Sequence, residues 1–153
     1  MSPTIKSTLK RSISKVRHIL LDTNVVIDLL LRREPFDGEA REVFQLIESG
    51  DTKASVCATT VTTVDYLVSK SAGTRQSHKL LGFLLSLCDI ADVNKRVLLA
   101  ALSAQMTDFE DAVIAESAKA SGIPTIITRN GKDFVGCGLN VYSPSQWLAA
   151  SAI

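Results

Sequence analysis

At 153 residues, 46% of them apolar and 22% charged, the chain has the size and mix of one soluble globular domain, which excludes fibrous structure, wholesale disorder and a multidomain assembly. No apolar run approaches the roughly 20 residues of a membrane helix, and the N-terminus lacks the apolar core of a secretory signal, so the expectation is a cytoplasmic protein with no membrane association. The net charge of +1 hides an asymmetry: residues 1–17 hold Lys6, Lys10, Arg11, Lys15 and Arg17 without an acid, and taking those five from the 17 basic residues leaves 12 against 16 acidic ones.

Residues 1–17 therefore read as a basic, flexible tail, and 18–153 as the folded domain. The apolar run His18–Leu21 stops at Asp22-Thr23-Asn24 and gives way to Val25, Val26, Leu29 and Leu30, the pattern of strand, loop and helix. Arg33-Glu34-Pro35 closes that helix, and Asp37–Glu48 forms a second one ending at Gly50. Lys53–Cys57 is a short strand. Two helices, Thr59–Ser69 and Gln76–Leu87, follow around Ala72-Gly73-Thr74, and Ile90–Val93 is a further strand.

Asn94 caps a helix reaching about Gln105. Thr107-Asp108-Phe109-Glu110 then fits a capping box for a helix that runs to about Ser121 and stops at Gly122. Ile123-Pro124 leads into strand 125–128, and Val141-Tyr142 makes a last strand before a helix begun at Pro144. Strands alternating with helices imply a three-layer α/β fold, with a parallel central sheet of about four to five strands flanked by helices.

Cys57, Cys88 and Cys137 contain no CxxC pair and are odd in number, so they read as reduced thiols, and His18 and His78 are isolated. With no HExxH and no Cys/His cluster, a zinc site is excluded. Any metal is a hard ion on oxygen ligands, Mg2+ or Mn2+.

In an open parallel sheet, ligands bind outside the carboxyl ends of the strands, and acids collect there. Asp22 directly follows the first strand, where it is either a ligand or the N-cap of helix 24–31. Asp65 lies about two turns into the helix after the second strand. Helix 108–121 runs back against strand 125–128, so it starts at the same edge. Asp108 and Asp111 share one of its faces by their i, i+3 spacing, Asp108 also serving as a first-turn acid. Asn130 follows the fourth strand, and the Thr128 hydroxyl supports the set. Carboxylates held together repel and are costly to desolvate, and a divalent cation neutralises them best. Asp28 and Arg129 read as solvated surface, Glu110 as the capping partner of Thr107, and Asp133 as either a turn residue or a supporting acid. Residues 66–88 carry Lys70, Arg75 and Lys79 without an acid, a weak basic bias that can guide a polyanion.

The segments LLDTNVVID, TTVTTVD, TDFEDAVIAESA and IITRNGKDF, in this order across residues 18–148, resemble the PIN-domain nucleases, and among them the VapC-type toxin ribonucleases of the branch ending in TRN. The resemblance implies a PIN-like fold over 18–153 with Asp22, Asp65, Asp111 and Asn130 in the four acidic-pocket positions, Asp108 as an auxiliary acid, and metal held by Asp22, Asp111 and Asp108. The second position holds aspartate where the family generally has glutamate, and Asn130 adds a carbonyl ligand but no charge. The expected activity is Mg2+- or Mn2+-dependent hydrolysis of RNA by the toxin of a toxin–antitoxin pair, with a small antitoxin protein and a second copy of the chain as partners. The competing readings are a PIN-like module that binds RNA or protein without cleaving, and a receiver-like signalling domain using Lys132.

Overall fold

The computed structural model describes residues 16–152, so the expected tail lies outside the described residues except for its last two. Arg17, assigned to that tail, is instead the first residue of a strand, and its guanidinium lies 5.1 Å from the centre of the Trp147 ring.

Five strands form one sheet: β1 (Arg17–Leu21), β2 (Thr52–Cys57), β3 (Asp89–Ala91), β4 (Thr125–Ile127) and β5 (Asn140–Tyr142). All pairs are parallel, in the order β3-β2-β1-β4-β5. Seven α-helices flank it among the described residues: α1 (Thr23–Leu30), α2 (Asp37–Glu48), α3 (Ala58–Ala72), α4 (Thr74–Leu87), α5 (Lys95–Ser103), α6 (Phe109–Ala120) and α7 (Pro144–Ser151). The expected three-layer α/β fold is the one observed.

Burial on both faces explains why the central strands are continuously apolar rather than alternating. Ile19 and Leu21 point into a core shared with α1, α2, α3, α4 and Trp147 of α7, whereas Leu20 points into a second core built with α5 and α6. Ile126 and Ile127 of β4 divide in the same way.

Asn94 caps α5 as its position implies, its side chain accepting from the Val97 amide. The capping box expected at Thr107 does not form. Asp108 is the N-cap instead and accepts from the Asp111 amide at 2.9 Å, so α6 starts one residue later. Gly73 ends α3 and begins α4 at φ +88°, a left-handed conformation that an L side chain rarely adopts, and this makes α3 and α4 a tight hairpin. A 3-10 turn at Gly131–Phe134, not apparent in the sequence pattern, follows β4.

Two features position the site. The sheet winds from β1 outward to β3 on one side and through β4 to β5 on the other, so the crevice between β1 and β4 is where the winding reverses. In addition, Leu21 stands opposite both Val56 and Ile127, which brings the residues just beyond β1, β2 and β4 level at one edge.

Leu20 is fully buried in the central strand, whereas Leu102 on α5 is 70% exposed. Leu20→Ala is expected to cost about 2–5 kcal/mol and Leu102→Ala less than about 0.5 kcal/mol, measured by equilibrium denaturant unfolding.

Candidate active site

Asp22 sits in the reversal crevice. Its amide donates to the Ile127 carbonyl at 2.9 Å, continuing the β1–β4 ladder one residue past the strands. Its side chain is 95% buried and held at both oxygens. The Thr23 amide donates to Oδ1 at 2.8 Å, and Thr128 Oγ1 (2.7 Å) and Asn24 Nδ2 (3.1 Å) donate to Oδ2. Asp22 is thus the N-cap of α1 and a fixed, buried carboxylate at the ligand edge, which joins the two readings its position allowed. Burial raises its pKa above the usual carboxylate value; the Thr128 and Thr23 bonds offset part of that rise, and the charges of Glu110 and Asp133 add to it.

Thr128 is fully buried and central to this knot, its hydroxyl also accepting from the Asn130 amide at 3.0 Å. Asn24, which the sequence pattern does not single out, completes the knot. Its amide nitrogen reaches both Asp22 and Thr128, while its oxygen accepts from the Arg129 amide at 3.2 Å. The signal was present as an amide side chain two residues past a strand-ending aspartate.

Asp111 enters from α6, half-buried. Its pKa is pushed up to about 7, first by burial and then by Asp108, Asp22, Asp133 and Glu110. Those five acids form one electrostatic unit, and among the described residues none of them has a basic side chain within 4 Å. Glu110, freed from the capping role expected for it, accepts from Thr63 Oγ1 of α3 at 3.4 Å. Asp133 rides on the 3-10 turn and faces the same unit. Asn130 is exposed beside it, tied in through its backbone.

Two expected contributors lie elsewhere or act differently. Asp65 is not brought to the pocket. It lies two turns into α3, as expected, but on the side toward α4, where its Oδ1 accepts from Ser77 (2.7 Å) and Ser69 (3.3 Å) and lies 3.9 Å from His78 Nε2. Asp108 is exposed and commits Oδ1 to the α6 cap, so Asp22, Asp108 and Asp111 do not converge as three metal ligands. Indeed, among the described residues, no three His, Cys, Asp or Glu side chains gather tightly enough to hold an ion.

Asp28 is the larger correction. Read as a surface acid, it is 1% exposed on α1 and takes a two-pronged bond from Arg129, Nε at 2.5 Å and Nη2 at 3.3 Å. The same guanidinium stacks 3.8 Å from the centre of the Phe36 ring. The planar fork suits both contacts. Arg129, flanked by Thr128 and Asn130, so bolts the loop after β4 onto α1.

The PIN domain family matches residues 18–132. No curated protein matches the chain in sequence. Among solved structures, a chain of DNA-bound VapBC from Salmonella typhimurium is 18% identical with a TM-score of 0.66, over 84% of this chain and 99% of that one. VapBC2 from Rickettsia felis, bound to a DNA fragment from their promoter, gives 19% and 0.64 over 82% and 98%. A toxin–antitoxin complex from Klebsiella pneumoniae gives 25% and 0.62 over 82% and 97%.

Two outcomes follow from the electrostatics. Asp111 holds its proton to about pH 7 in the fold against an ordinary value of 3.8, so its contribution to stability is complete at acid pH and is lost as pH rises from about 4 to about 7. In metal-free protein, the melting temperature of wild type should therefore fall more steeply over that window than that of Asp111→Asn, by a few degrees in thermal melts. Asp28→Ala, which leaves the Arg129 guanidinium without its partner, should destabilise by about 2–4 kcal/mol in denaturant unfolding.

Proposed function

The chain belongs to the PIN domain family, and on that footing we propose that it is a divalent-metal-dependent ribonuclease, the toxin of a toxin–antitoxin pair. The observation that carries this reading is the cluster of five acids, centred on the fixed carboxylate of Asp22 and the half-buried Asp111, that has no counter-cation among the described residues. Such a field costs free energy unless a cation enters it.

The donors fit a hard ion of modest demands. Asp22 and Asp111 would hold it, with Asn130, whose backbone is tied to Thr128 at the same edge, as a further oxygen donor. The scarcity of converging carboxylates suits Mg2+ or Mn2+, since magnesium keeps several waters and takes only one or two carboxylates. When bound, such an ion lowers the pKa of a water and offsets charge on the phosphoryl oxygens.

The chain's own groups do the rest. Thr128, Asn24 and the Thr23 amide fix the Asp22 carboxylate in one orientation, so no reorganisation is needed as the substrate arrives. Asp108 keeps Oδ2 free at the rim and orients the attacking water. Asp65 has no part in the chemistry. No Ser, Cys or His nucleophile is required; Cys57, Cys88 and Cys137 are buried free thiols, and burial pushes Cys88 up to about 12.

The antitoxin partner rests on likeness to the Klebsiella and VapBC complexes, and the homodimer on the family resemblance alone. Among the described residues, no helix is long and apolar enough to cross a membrane. The receiver-like alternative falls with the family match, and Lys132 is merely exposed.

Purified wild type should cleave labelled RNA with Mn2+ and stop on chelation. Asp22→Asn and Asp111→Asn should each lose at least about 100-fold in rate while keeping the wild-type circular dichroism spectrum. Full activity in both variants, or cleavage indifferent to chelator, would overturn the assignment.

A further inference from the structure

One face of α3, half-buried at Thr59 and Thr63 and exposed at Tyr66 and Lys70, carries a row of side chains of which Thr63 alone bonds to the acid cluster. Thr59, Thr63, Tyr66 and Lys70 succeed one another at helical spacing and so share one stripe of the helix. The row starts at the ligand edge of the sheet, just past β2, and Thr63 donates to Glu110 of the acid unit. From Thr63 to Lys70 the stripe climbs about 10 Å along the helix axis.

Tyr66 is 60% exposed, and the Lys70 ammonium lies 5.1 Å from its ring centre. A lone exposed aromatic is ordinary on a protein surface. What sets this one apart is the basic hairpin that carries it. Past the Gly73 turn, Arg75 and Lys79 are exposed on α4 one helical turn apart, and residues 66–88 contain no acid. The nearest acid in sequence, Asp65, is half-buried and engages Ser77 and Ser69 beside His78 on the side toward α4, so none of the stripe's own residues carries negative charge.

We infer that this stripe is the path of the single-stranded RNA leading away from the acid cluster, with Tyr66 a stacking platform for one base and Lys70, Arg75 and Lys79 contacts to the backbone phosphates. Aromatic rings stack any base, and cations track the backbone, so the surface is tolerant of sequence. The inference rests on the ribonuclease reading but concerns strand binding, so the two fail separately.

The test uses the full chain, a short unstructured fluorescent RNA oligonucleotide, and two readouts. With Mn2+, Tyr66→Ala should raise KM by roughly 5- to 150-fold and leave kcat within about twofold, while Tyr66→Phe and Tyr66→Trp stay close to wild type. With chelator present, so that nothing is cut, fluorescence anisotropy should show the Lys70→Ala/Arg75→Ala/Lys79→Ala variant lowering the slope of log Kd against log salt by about 2. All substituted positions are exposed, and circular dichroism checks the fold.

Wild-type binding and KM in Tyr66→Ala, an unchanged salt slope in the triple variant, or a loss of self-association with RNA binding intact would each overturn the inference, the last assigning the hairpin to a protein interface. Protein that binds the oligonucleotide through these residues yet never cleaves it supports the strand path and removes the nuclease reading.

Discussion

A carboxylate buried where a parallel sheet reverses its winding must be answered by donors, and the structure around Asp22 is organised by that requirement. An ionised group without partners in such a place is very costly, whereas one that accepts several hydrogen bonds is tolerated. The backbone supplies the Thr23 amide through the start of α1, β4 delivers the Thr128 hydroxyl from across the crevice, and Asn24 fills the remaining approach. The Thr128 bond joins residues 106 positions apart, so the sheet register and the carboxylate geometry are fixed together. A slip of β4 against β1 would withdraw Thr128 and leave Asp22 short of its strongest donor.

The ion pair of Asp28 with Arg129 works on the same joint from the outside. Asn24 and Asp28 both lie on α1, four residues apart, and both hold Arg129, one by its backbone amide and the other by its guanidinium. The loop after β4 is therefore gripped at two points, and Phe36 closes over the guanidinium. The bidentate geometry explains why a buried acid is retained on an otherwise apolar helix. Its role is local order beside the pocket, since buried pairs are weak sources of net stability.

Much of this was legible in the sequence because the fold rests on local signals. The strand-to-aspartate transition at Asp22, the glycine stops and the apolar spacing of α6 placed the elements and the parallel architecture, and Asp22, Thr128 and Asp111 come together at one edge as that architecture requires. What escaped depends on pairing across space. Asp28 looks like a surface acid until Arg129, 101 residues on, is seen to cover it. Asp65 lies two turns into its helix as the spacing implies, but its partner, Ser77 of α4, is met only across the hairpin. The cap of α6 slipped from Thr107 to Asp108 because two neighbouring residues can both serve. The repulsion among five acids was anticipated in kind, but its focus on Asp111 depends on depth of burial, which periodicity does not reveal.

We propose that one divalent cation between Asp22 and Asp111 answers this acid field. Calorimetric titration of the purified protein with Mn2+, in the absence of RNA, tests it most directly. The account requires one saturable site in wild type, weakened by at least about 10- to 100-fold in Asp22→Asn and in Asp111→Asn and unchanged in Asp65→Asn, whose carboxylate faces α4. No binding to wild type, or binding that survives both pocket substitutions and is lost with Asp65, would contradict it.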